Sequence, residues 1–467
     1  MSLIIPANTL SSGGYTVDNS LRFNSGSSDK LVLADGTPTN ALKWTYSTWV
    51  KRSALGGSGA LLGGYQDGNN WTDFYFSGGN ALELTAYIGS SVGITVSTNA
   101  LFRDVSAWYH IVLVYDSANG TASNRVKIYV NGVLQTINTA TYPNQNYATK
   151  INANGVNQNI SFSAQGGFNG YMSEVCFIDG QALDPTSFGE FDSNSGIWKP
   201  IDVSGLTFGN NGFYLDFEDS SALGNDAAGS NNFTVNNLTA IDQTTDTPTN
   251  NFCTLNPLDN YYSGATFSEG NLKVSSARYA GVTSTFALTQ GKWYFEYKCV
   301  SRSNTSGFVG ITSATATATN YEFGNQGGEN VGYSVSLYNG SVYGNGGQVA
   351  ASGTFAQING GDFGMVALDF DNNKMYFGRN GTWGNSQNPE NGTNALSIVA
   401  VTQGASGHWR IYVGGETSNA TVFEMNFGNP PYAITSGNTD GNDRGNFEYA
   451  PPSGYLSLCT ANLSESG

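Results

Sequence analysis

Charged residues are scarce in this chain: Asp, Glu, Lys and Arg make up 12% of its 467 residues. Basic side chains are scarcer than acidic ones, 19 against 35, so the formal net charge is −16. A balance of this sign repels phosphate backbones and anionic lipid. We therefore exclude nucleic-acid binding as a primary role, and we expect no membrane insertion.

Cysteine is also rare, and its positions exclude two kinds of site. Cys176, Cys253, Cys299 and Cys459 are far apart and form no C-x-x-C pair. This spacing fits neither a zinc site nor the disulfide framework of a small secreted domain. We expect four buried, free thiols.

The first fourteen residues, MSLIIPANTLSSGG, lack a long apolar run and a basic flank. They fit neither a secretory signal nor a transmembrane segment. The sequence therefore predicts folding in a cytoplasm.

The residue patterns of common catalytic sites are missing as well. The chain has two histidines, His110 and His408, and each opens a predicted strand beside Trp or Tyr, which favours capping or packing over general-base catalysis. No G-x-S-x-G motif occurs. Glu174 and Asp179 lack the third acid in register that related sandwich glucanases use. We predict that the protein is not an enzyme; the alternative, a polysaccharide-degrading enzyme, requires a carboxylate pair about 5 to 9 Å apart in an open groove.

Glycine and aromatic residues are abundant instead, with 60 Gly, 26 Tyr, 26 Phe and 8 Trp. Residues 112–135 and 365–384 each contain an apolar strand ending in Asp, a polar turn, and a second strand that runs into Asn-Gly. Asn-Gly after alternating apolar residues is a strong hairpin signal, because both residues tolerate positive φ. The pattern predicts an all-β protein with two tandem antiparallel β-sandwiches.

Side-chain periodicity indicates which strand faces are buried. Val126, Ile128 and Val130 alternate with polar residues, which is typical of a half-buried strand. Residues 110–116, HIVLVYD, are apolar on both faces and predict a central strand covered on both sides. In residues 293–299 the alternate side chains Trp, Phe, Tyr and Cys predict an aromatic core face.

Turn-rich stretches divide the chain into five parts. Residues 212–219 predict the closing strand of the first sandwich, and the Asn/Ser/Thr-rich stretch after them predicts a stiff junction that packs along a domain surface. The predicted parts are an N-terminal segment 1–14, a first sandwich 15–220, a connector 221–262, a second sandwich 263–435 and a C-terminal strap 436–467.

Each of the two predicted sandwiches resembles a known family. The stretches DVSAWYHIVLVYD, NRVKIYVNGVLQ and GGFNGYMSEVCFIDGQAL resemble the laminin-G-like or pentraxin-like branch of the concanavalin A-like lectins. The stretches GKWYFEYK, GFVGIT, GDFGMVALDFDNNKMYFGRNGTWG and FEMNFGNPPY resemble a SPRY domain. The resemblance implies a concanavalin A-like jelly roll followed by a SPRY-like sandwich, both of them binding folds.

Nearly the whole chain is similar to structural or tail-fibre-like proteins of tailed bacteriophages. That resemblance implies a virion component, assembled in the cytoplasm of a bacterial host, that attaches to host-surface glycan or to another virion protein. It also implies a homo-oligomer, with a trimer as the form typical of receptor fibres. The alternative is a purely structural head fibre, capsid decoration protein or tail adaptor.

Candidate binding residues lie in predicted turns rich in aromatic and amide side chains, a mixture suited to sugar and to protein partners. The lectin-like candidates are Tyr65, Asn69, Asn70, Trp71 and Tyr75. The SPRY-like candidates for a partner are Tyr321, Asn325, Gln326, Tyr338, Asn339, Tyr343, Trp383 and Asn385. The alternative is a polar, protease-resistant fibre surface whose aromatic residues serve packing alone.

One loop carries a candidate metal site. Asp67, Asn69 and Asp73 offer oxygen ligands that suit calcium, as in some laminin-G-like domains. A solvated turn is the favoured alternative, because the carboxylates are few. No other cofactor is expected.

Overall fold

The computed structural model describes residues 14–260, 264–276, 280–302, 307–313, 332–344, 346–404, 406–415 and 420–466. These residues form two compact units. The first unit contains the described residues up to Thr249, and the second contains those from Asn250 onward.

The first unit is built from strands with short connections. In chain order they are β1 (Ser20–Phe23), β2 (Lys30–Ala34), β3 (Lys43–Arg52), β4 (Gly59–Asp67), β5 (Asn70–Phe76), β6 (Leu82–Ile88), β7 (Ser91–Thr98), β8 (Trp108–Asp116), β9 (Val126–Val130), β10 (Val133–Leu134), β11 (Ile137–Thr141), β12 (Asn157–Ile160), β13 (Phe162–Ser163), β14 (Gly166–Gly167), β15 (Gly170–Asp179), β16 (Gly189–Phe191), β17 (Trp198–Pro200), β18 (Phe213–Leu215), β19 (Thr234–Asn236) and β20 (Gln243–Thr244). Short 3₁₀ turns occur at Ala122–Asn124, Pro185–Ser187 and Ala240–Asp242.

The second unit is also made of strands and ends in a helix. Its strands are β21 (Leu255–Asn260), β22 (Ala265–Ser268), β23 (Lys273–Ser276), β24 (Gly281–Ser284), β25 (Lys292–Ser301), β26 (Phe308–Thr312), β27 (Gly332–Ser336), β28 (Val342–Gly344), β29 (Gly347–Ala350), β30 (Phe363–Asp369), β31 (Lys374–Arg379), β32 (Thr382–Trp383), β33 (Leu396–Ser397), β34 (Arg410–Gly414) and β35 (Thr421–Asn426). The helix is α1 (Thr460–Ser466), and 3₁₀ turns occur at Glu269–Asn271, Gly384–Ser386 and Val401–Gln403.

The first unit is a sandwich of two sheets. The strand order is β10-β9-β8-β3-β15-β1-β20 in an eight-stranded sheet, in which β18 also pairs with β15. It is β11-β7-β6-β5-β4-β12-β2-β19 in a ten-stranded sheet, in which the hairpin of β13 and β14 joins β4. The core between them takes Tyr46 and Leu113 from the first sheet and Leu62, Phe74 and Leu84 from the second.

Strand β8 occupies the centre of its sheet, between β9 and β3. Ile111 and Leu113 enter the main core, whereas Val112 and Val114 pack on the other face against a cluster that includes Phe188. Both faces of the strand are therefore covered, as the continuous apolar run of residues 110–116 predicts.

The two Asn-Gly hairpins form as predicted. Val130 pairs with Val133 around Asn131-Gly132, and Arg379 pairs with Thr382 around the second Asn-Gly. The φ angles are 48° and 77° at Asn131 and Gly132, and 47° and 82° at Asn380 and Gly381. Positive φ at both turn positions matches the twist of antiparallel strands, so the local sequence sets the turn.

The second unit is likewise a two-sheet sandwich. A seven-stranded sheet has the order β21-β24-β34-β26-β27-β28-β29, and an eight-stranded sheet has the order β22-β23-β35-β25-β30-β31-β32, with β33 beside β31. Trp293, Phe295, Tyr297 and Cys299 of β25 all lie in the core between the sheets, as their spacing predicts.

The C-terminal segment covers the opposite face of β25. Tyr294 lies there with Phe447 and Tyr455 in a separate buried cluster. Backbone hydrogen bonds run from Tyr294 N to Leu456 O at 2.9 Å and from Leu456 N to Lys292 O at 3.0 Å. The tail therefore packs against the sandwich as a strap.

The predicted connector 221–262 does not exist as a separate part, and the predicted closing strand at 212–219 is shorter, at Phe213–Leu215. Residues 221–249 complete the first unit: β19 pairs with β2, β20 pairs with β1, and Phe233 is in the core. Residues 250–260 belong to the second unit, where Phe252 and Leu255 are buried and Leu258 is exposed. Polar composition suggested a linker, but buried apolar side chains such as Phe233 and Leu255, together with strand hydrogen bonds, fix this stretch to sheet edges.

The four cysteines are free and buried, as expected. Within the described ranges, no helix is long and apolar enough to cross a lipid bilayer.

Candidate binding site

A groove of about 520 Å³ lies on the ten-stranded sheet of the first unit. Its lining comes from neighbouring strands β4, β12, β2 and β19 and from the β13 hairpin. The lining residues are Lys30, Val32, Tyr65, Asn157, Asn159, Phe162, Ser163, Ala164, Thr234 and Asn236.

Strand register places these side chains in rows across the sheet. Tyr65 of β4 pairs with Asn157 of β12, and Asn159 pairs with Val32 of β2. Val32 in turn pairs with Thr234, and Lys30 with Asn236. Residues directly opposite in antiparallel strands share a face, so residues distant in sequence form one continuous surface.

The alternation within β12 explains why amides line the groove. Ile160 enters the main core, and Gln158 is fully buried, with its side-chain carbonyl accepting a hydrogen bond from the Asn152 backbone N–H at 3.2 Å. Successive side chains of a strand point to opposite faces, so Asn157 and Asn159 face away from the core.

Ser163, which lines the groove, contacts a buried carboxylate that is held by neutral donors. Asp73 accepts hydrogen bonds from Ser163 Oγ at 2.7 Å and from the Gln165 backbone N–H at 2.9 Å. Burial raises the pKa of Asp73 to about 6. A side chain at Gly63 would place its Cβ 2.2 Å from Ser163 Oγ, so the β13 hairpin can approach β4 only over glycine.

The groove walls combine aromatic rings, amides and one ammonium group. Tyr65 is 41% exposed, and Lys30 Nζ lies 5.8 Å from the centroid of the Phe162 ring. Exposed rings offer flat apolar faces, and each Asn side chain offers both a donor and an acceptor. This combination can hold a ligand that has hydroxyl groups and apolar C–H faces.

Of the five lectin-like candidates, Tyr65 lines the groove. Asn69 is exposed in the turn between β4 and β5, and its backbone N–H donates to Asp67 Oδ1 at 2.8 Å. Asn70 begins β5, and its side-chain amide donates to Asp67 Oδ1 at 3.2 Å.

The structure places Trp71 and Tyr75 differently from the prediction, because they lie within β5 rather than in a loop. Trp71 is 9% exposed and stacks on Tyr87 with the ring centroids 5.4 Å apart. Tyr75 is 6% exposed and donates its hydroxyl hydrogen to Glu83 Oε1. The turn is shorter than the predicted loop, so both rings support the sheet.

The two carboxylates among the candidate calcium ligands, Asp67 and Asp73, are not brought together. Asp67 pairs across the hairpin with Asn70, whereas Asp73 pairs with Gly63, three residues farther along β5. At a strand rise of about 3.3 Å per residue, three residues separate the two positions by roughly 10 Å. Among the described residues, no group of three or more His, Cys, Asp or Glu side chains is arranged to hold a metal ion.

Of the described SPRY-like candidates, Tyr338, Asn339 and Asn385 lie in turns as predicted, whereas Tyr343 lies within β28 and Trp383 within β32. Tyr338 is 41% exposed, with the guanidinium carbon of Arg302 5.7 Å from its ring centroid. Asn339 caps the same turn by accepting from the Ser341 backbone N–H at 3.0 Å, and Tyr343 packs edge-on against Phe308.

Trp383 belongs to the second strand of the second hairpin, β32, at the end of the other sheet, and Asn385 lies in the 3₁₀ turn that follows. Trp383 is half-buried beside Tyr294, and Asn385 is exposed with a φ of 50°. Residues 354–358 lie between the two turns, because Gln357 donates to Tyr338 O and Phe355 packs beside Gly384. The remaining candidates, Tyr321, Asn325 and Gln326, lie outside the described residues.

Two of the four groups weighed for catalysis, His110 and Glu174, have structural contacts. The indole N–H of Trp198 donates to His110 Nδ1 at 2.9 Å, so Nε2 carries the proton and donates to Ser47 Oγ, also at 2.9 Å. Burial lowers the pKa of His110 to about 3.

Glu174 accepts hydrogen bonds from Tyr214 Oη at 2.9 Å and from Tyr15 Oη at 3.1 Å, and burial raises the pKa of Glu174 to about 7.

The sequence interpretation missed Lys30, Asn157, Asn159 and Asn236. In the motif Asn-Gln-Asn-Ile at residues 157–160, Asn157 and Asn159 share one face of a strand, but Gln158 interrupts the apolar–polar alternation, so the local signal is weak. That signal does not reveal the neighbouring strands, so the groove emerges only from the fold.

Comparison with known proteins is consistent with this architecture. Residues 25–186 match the family model described as the concanavalin A-like lectin/glucanases superfamily. This stretch is thus a concanavalin A-like domain within the first unit. None of the curated proteins matches the chain at a significant level.

Three solved structures are among those similar to the chain. The SPRY domain of human HERC1 is 14% identical, with 37% of this chain and 96% of that chain covered and a TM-score of 0.28. The heptameric SAP-like pentraxin of Limulus polyphemus is 18% identical, with 36% and 78% covered and a TM-score of 0.28. Domain 4 of the extracellular arabinanase AbnA from Geobacillus stearothermophilus, solved in complex with arabinotriose, is 18% identical, with 40% and 83% covered and a TM-score of 0.29.

Proposed function

We propose that this protein is a non-enzymatic attachment protein of a bacteriophage virion and that its first unit binds carbohydrate in the groove of the ten-stranded sheet. The observation that carries the proposal is the lining of that groove, in which the side chains of three Asn residues lie beside the rings of Tyr65 and Phe162. Amides pair with sugar hydroxyls, and aromatic faces pack on the C–H faces of pyranose rings.

The match of residues 25–186 to a lectin and glucanase superfamily supports a saccharide ligand.

The residues that line the groove favour saccharide binding over saccharide hydrolysis. Glycosidases generally use a pair of carboxyl groups beside the scissile bond. The groove lining contains no Asp or Glu. Asp73 is fully buried and hydrogen-bonded to Ser163 and Gln165. We expect no release of reducing ends from any polysaccharide that binds.

The resemblance of nearly the whole sequence to tailed-phage structural proteins supports a place on the virion. In this proposal the second unit contacts other virion proteins through the turn that carries Tyr338 and through the edge strand β32 that carries Trp383, and the chain acts as a homo-oligomer. Aromatic turn residues provide contact area at a small entropic cost.

A glycan array and a host-cell adsorption assay with the full chain test the attachment function. Tyr65→Ala should weaken saccharide binding about twofold to twelvefold, because one stacked ring is worth about 0.5–1.5 kcal/mol. Tyr338→Ala is the matched control, since both tyrosines are 41% exposed but Tyr338 lies in the second unit. Equal binding by both variants would contradict the assignment of the groove.

The second candidate function is a purely structural role as a head fibre, capsid decoration protein or tail adaptor. It is favoured by exposed apolar side chains on the seven-stranded sheet, namely Tyr338 and, on the edge strand β29, Val349, which is 45% exposed. Tight binding to purified capsids or tails, together with no binding to glycans or cells, would establish this role in place of attachment.

A further inference from the structure

The groove of the first unit has a charge that is unusual for this protein. Among its lining residues, Lys30 is charged and the others are neutral. The chain as a whole has a formal net charge of −16. The negative charge of the whole protein repels anions. Any anionic ligand must therefore be attracted by a specific local contact, and Lys30 is a positive group that can make one.

Lys30 is positioned to contact a ligand. It begins β2, pairs with Asn236 across to β19, and is half-buried. Its ammonium group lies 5.8 Å from the centroid of the Phe162 ring. The ring holds the side chain against the groove wall without neutralising the charge.

Lys30 also lacks an acidic partner within the described part of the chain, where no carboxylate oxygen lies within 4.0 Å of its Nζ. Lys51 and Lys292, by contrast, are paired with Asp246 at 2.7 Å and with Asp369 at 3.3 Å. An ammonium group without a counter-ion, surrounded by neutral amides, is suited to a ligand that brings its own negative charge.

We propose that the groove selects acidic saccharides, with Lys30 forming an ion pair with a carboxylate or sulfate group of the sugar. Asn157, Asn159 and Asn236 then contact hydroxyl groups, and Tyr65 packs on a ring face. This inference rests on the proposed carbohydrate-binding function and specifies the class of ligand.

Matched polysaccharides test the charge requirement. Polygalacturonate is compared with its methyl ester, which removes the carboxylate charge, and dextran sulfate is compared with dextran. Binding to the full chain is measured by affinity electrophoresis and titration calorimetry. We expect one acidic polymer to bind about tenfold more tightly than its neutral partner, since a charge-assisted hydrogen bond is worth about 1.5 kcal/mol or more. The arm that shows the preference identifies carboxylate or sulfate as the recognised group.

Variants test the role of Lys30. Lys30→Gln should abolish the preference for the acidic polymer, and Lys30→Arg should retain it. Lys127→Gln, on β9 in the other sheet, removes the same charge elsewhere and should leave the preference unchanged. Thermal unfolding of each variant verifies that it is folded.

The outcomes separate this inference from the proposed function. Equal binding of acidic and neutral polymers, or an acid preference that survives Lys30→Gln, overturns the inference while leaving carbohydrate binding in place. Failure of every saccharide, acidic or neutral, on the array and in these titrations overturns both.

Discussion

The backbone N–H of Tyr449 donates a hydrogen bond to Glu296 Oε1 at 2.7 Å, so a buried carboxylate on β25 anchors the C-terminal strap. Glu448 N donates to Oε2 of the same group at 3.0 Å, and Tyr294 Oη donates to Oε1 at 2.8 Å. Burial nevertheless dominates and raises the pKa of Glu296 to about 7.

This shift predicts that the second unit loses stability as the pH rises. Between the ordinary pKa of 4.5 and the folded value of about 7, the folded state binds more protons than the unfolded state. The contribution is therefore fully present below pH 4.5 and is lost as the pH passes through 7, with an upper limit of about 3 kcal/mol. The free energy of unfolding in urea is measured at pH 5 and at pH 8. Hydrogen exchange of peptides from β25 monitors the unfolding, so the value refers to the second unit alone.

Glu296→Gln should flatten this pH dependence, because the amide carries no titratable proton. Glu448→Gln is the control, since Glu448 belongs to the same strap but hydrogen bonds from Thr435 lower its pKa. A pH dependence that persists in Glu296→Gln would assign the effect to another group.

The ion pair of Lys51 and Asp246 predicts a large stability loss in the first unit. The pair is 2.7 Å long and completely buried, and Trp108 Nε1 donates to the same carboxylate at 3.1 Å. Lys51→Met leaves a buried carboxylate without its cation and should cost about 3–5 kcal/mol in urea unfolding. Lys43→Met is the control, because its pair with Asp116 is partly exposed and should contribute less than about 1 kcal/mol. Equal losses in the two variants would refute this difference.

The first Asn-Gly hairpin predicts a position-specific glycine effect. Gly132 has a φ of 77°, and an added Cβ would lie 2.5 Å from the Trp198 ring. Gly155 has a similar φ of 71°, but an added Cβ would meet nothing within 4 Å. Gly155→Ala should lower the free energy of unfolding by about 1–2 kcal/mol, because the backbone is strained at this φ. Gly132→Ala should lower it by about 1–3 kcal/mol more than Gly155→Ala does, because the added Cβ also overlaps the Trp198 ring. Urea unfolding compares the two, and similar values would mean that the indole moves aside without cost.

Burial of the four cysteines predicts that they resist thiol reagents in the folded protein. Burial raises the pKa of Cys299 and of Cys459 to about 11, which keeps these thiols protonated and weakly nucleophilic at neutral pH. Ellman's reagent should react only slowly with the native chain. In urea, where the chain is unfolded, it should react with all four thiols. A cysteine introduced at the exposed Ala118 should react at once and confirms that the reagent is active.

Local chemistry made much of the fold predictable. Asn131-Gly132 and Asn380-Gly381 adopt positive φ because these residue types tolerate it, and the Trp-to-Cys alternation of residues 293–299 faces the core. Such signals lie within a few neighbouring residues, so a single sequence reveals them.

The groove was not predictable in this way, because it depends on pairings between distant segments. Tyr65 meets Asn157, and Val32 meets Thr234, only after the register of the ten-stranded sheet is set. The sequence also led to a wrong prediction for Trp71 and Tyr75, because aromatic residues in an Asn-rich stretch suit a binding loop. The turn between β4 and β5 is too short to include them, so they lie in β5 instead.

The boundary at Thr249 and Asn250 has a consequence for any attempt to express the first unit alone. A fragment ended at residue 220, where composition suggests a linker, would discard the carboxylate that neutralises Lys51 and the strand that carries Thr234 and Asn236. Such a truncated product would lose a groove wall and gain a buried, unbalanced cation. A fragment that extends through Thr249 keeps both.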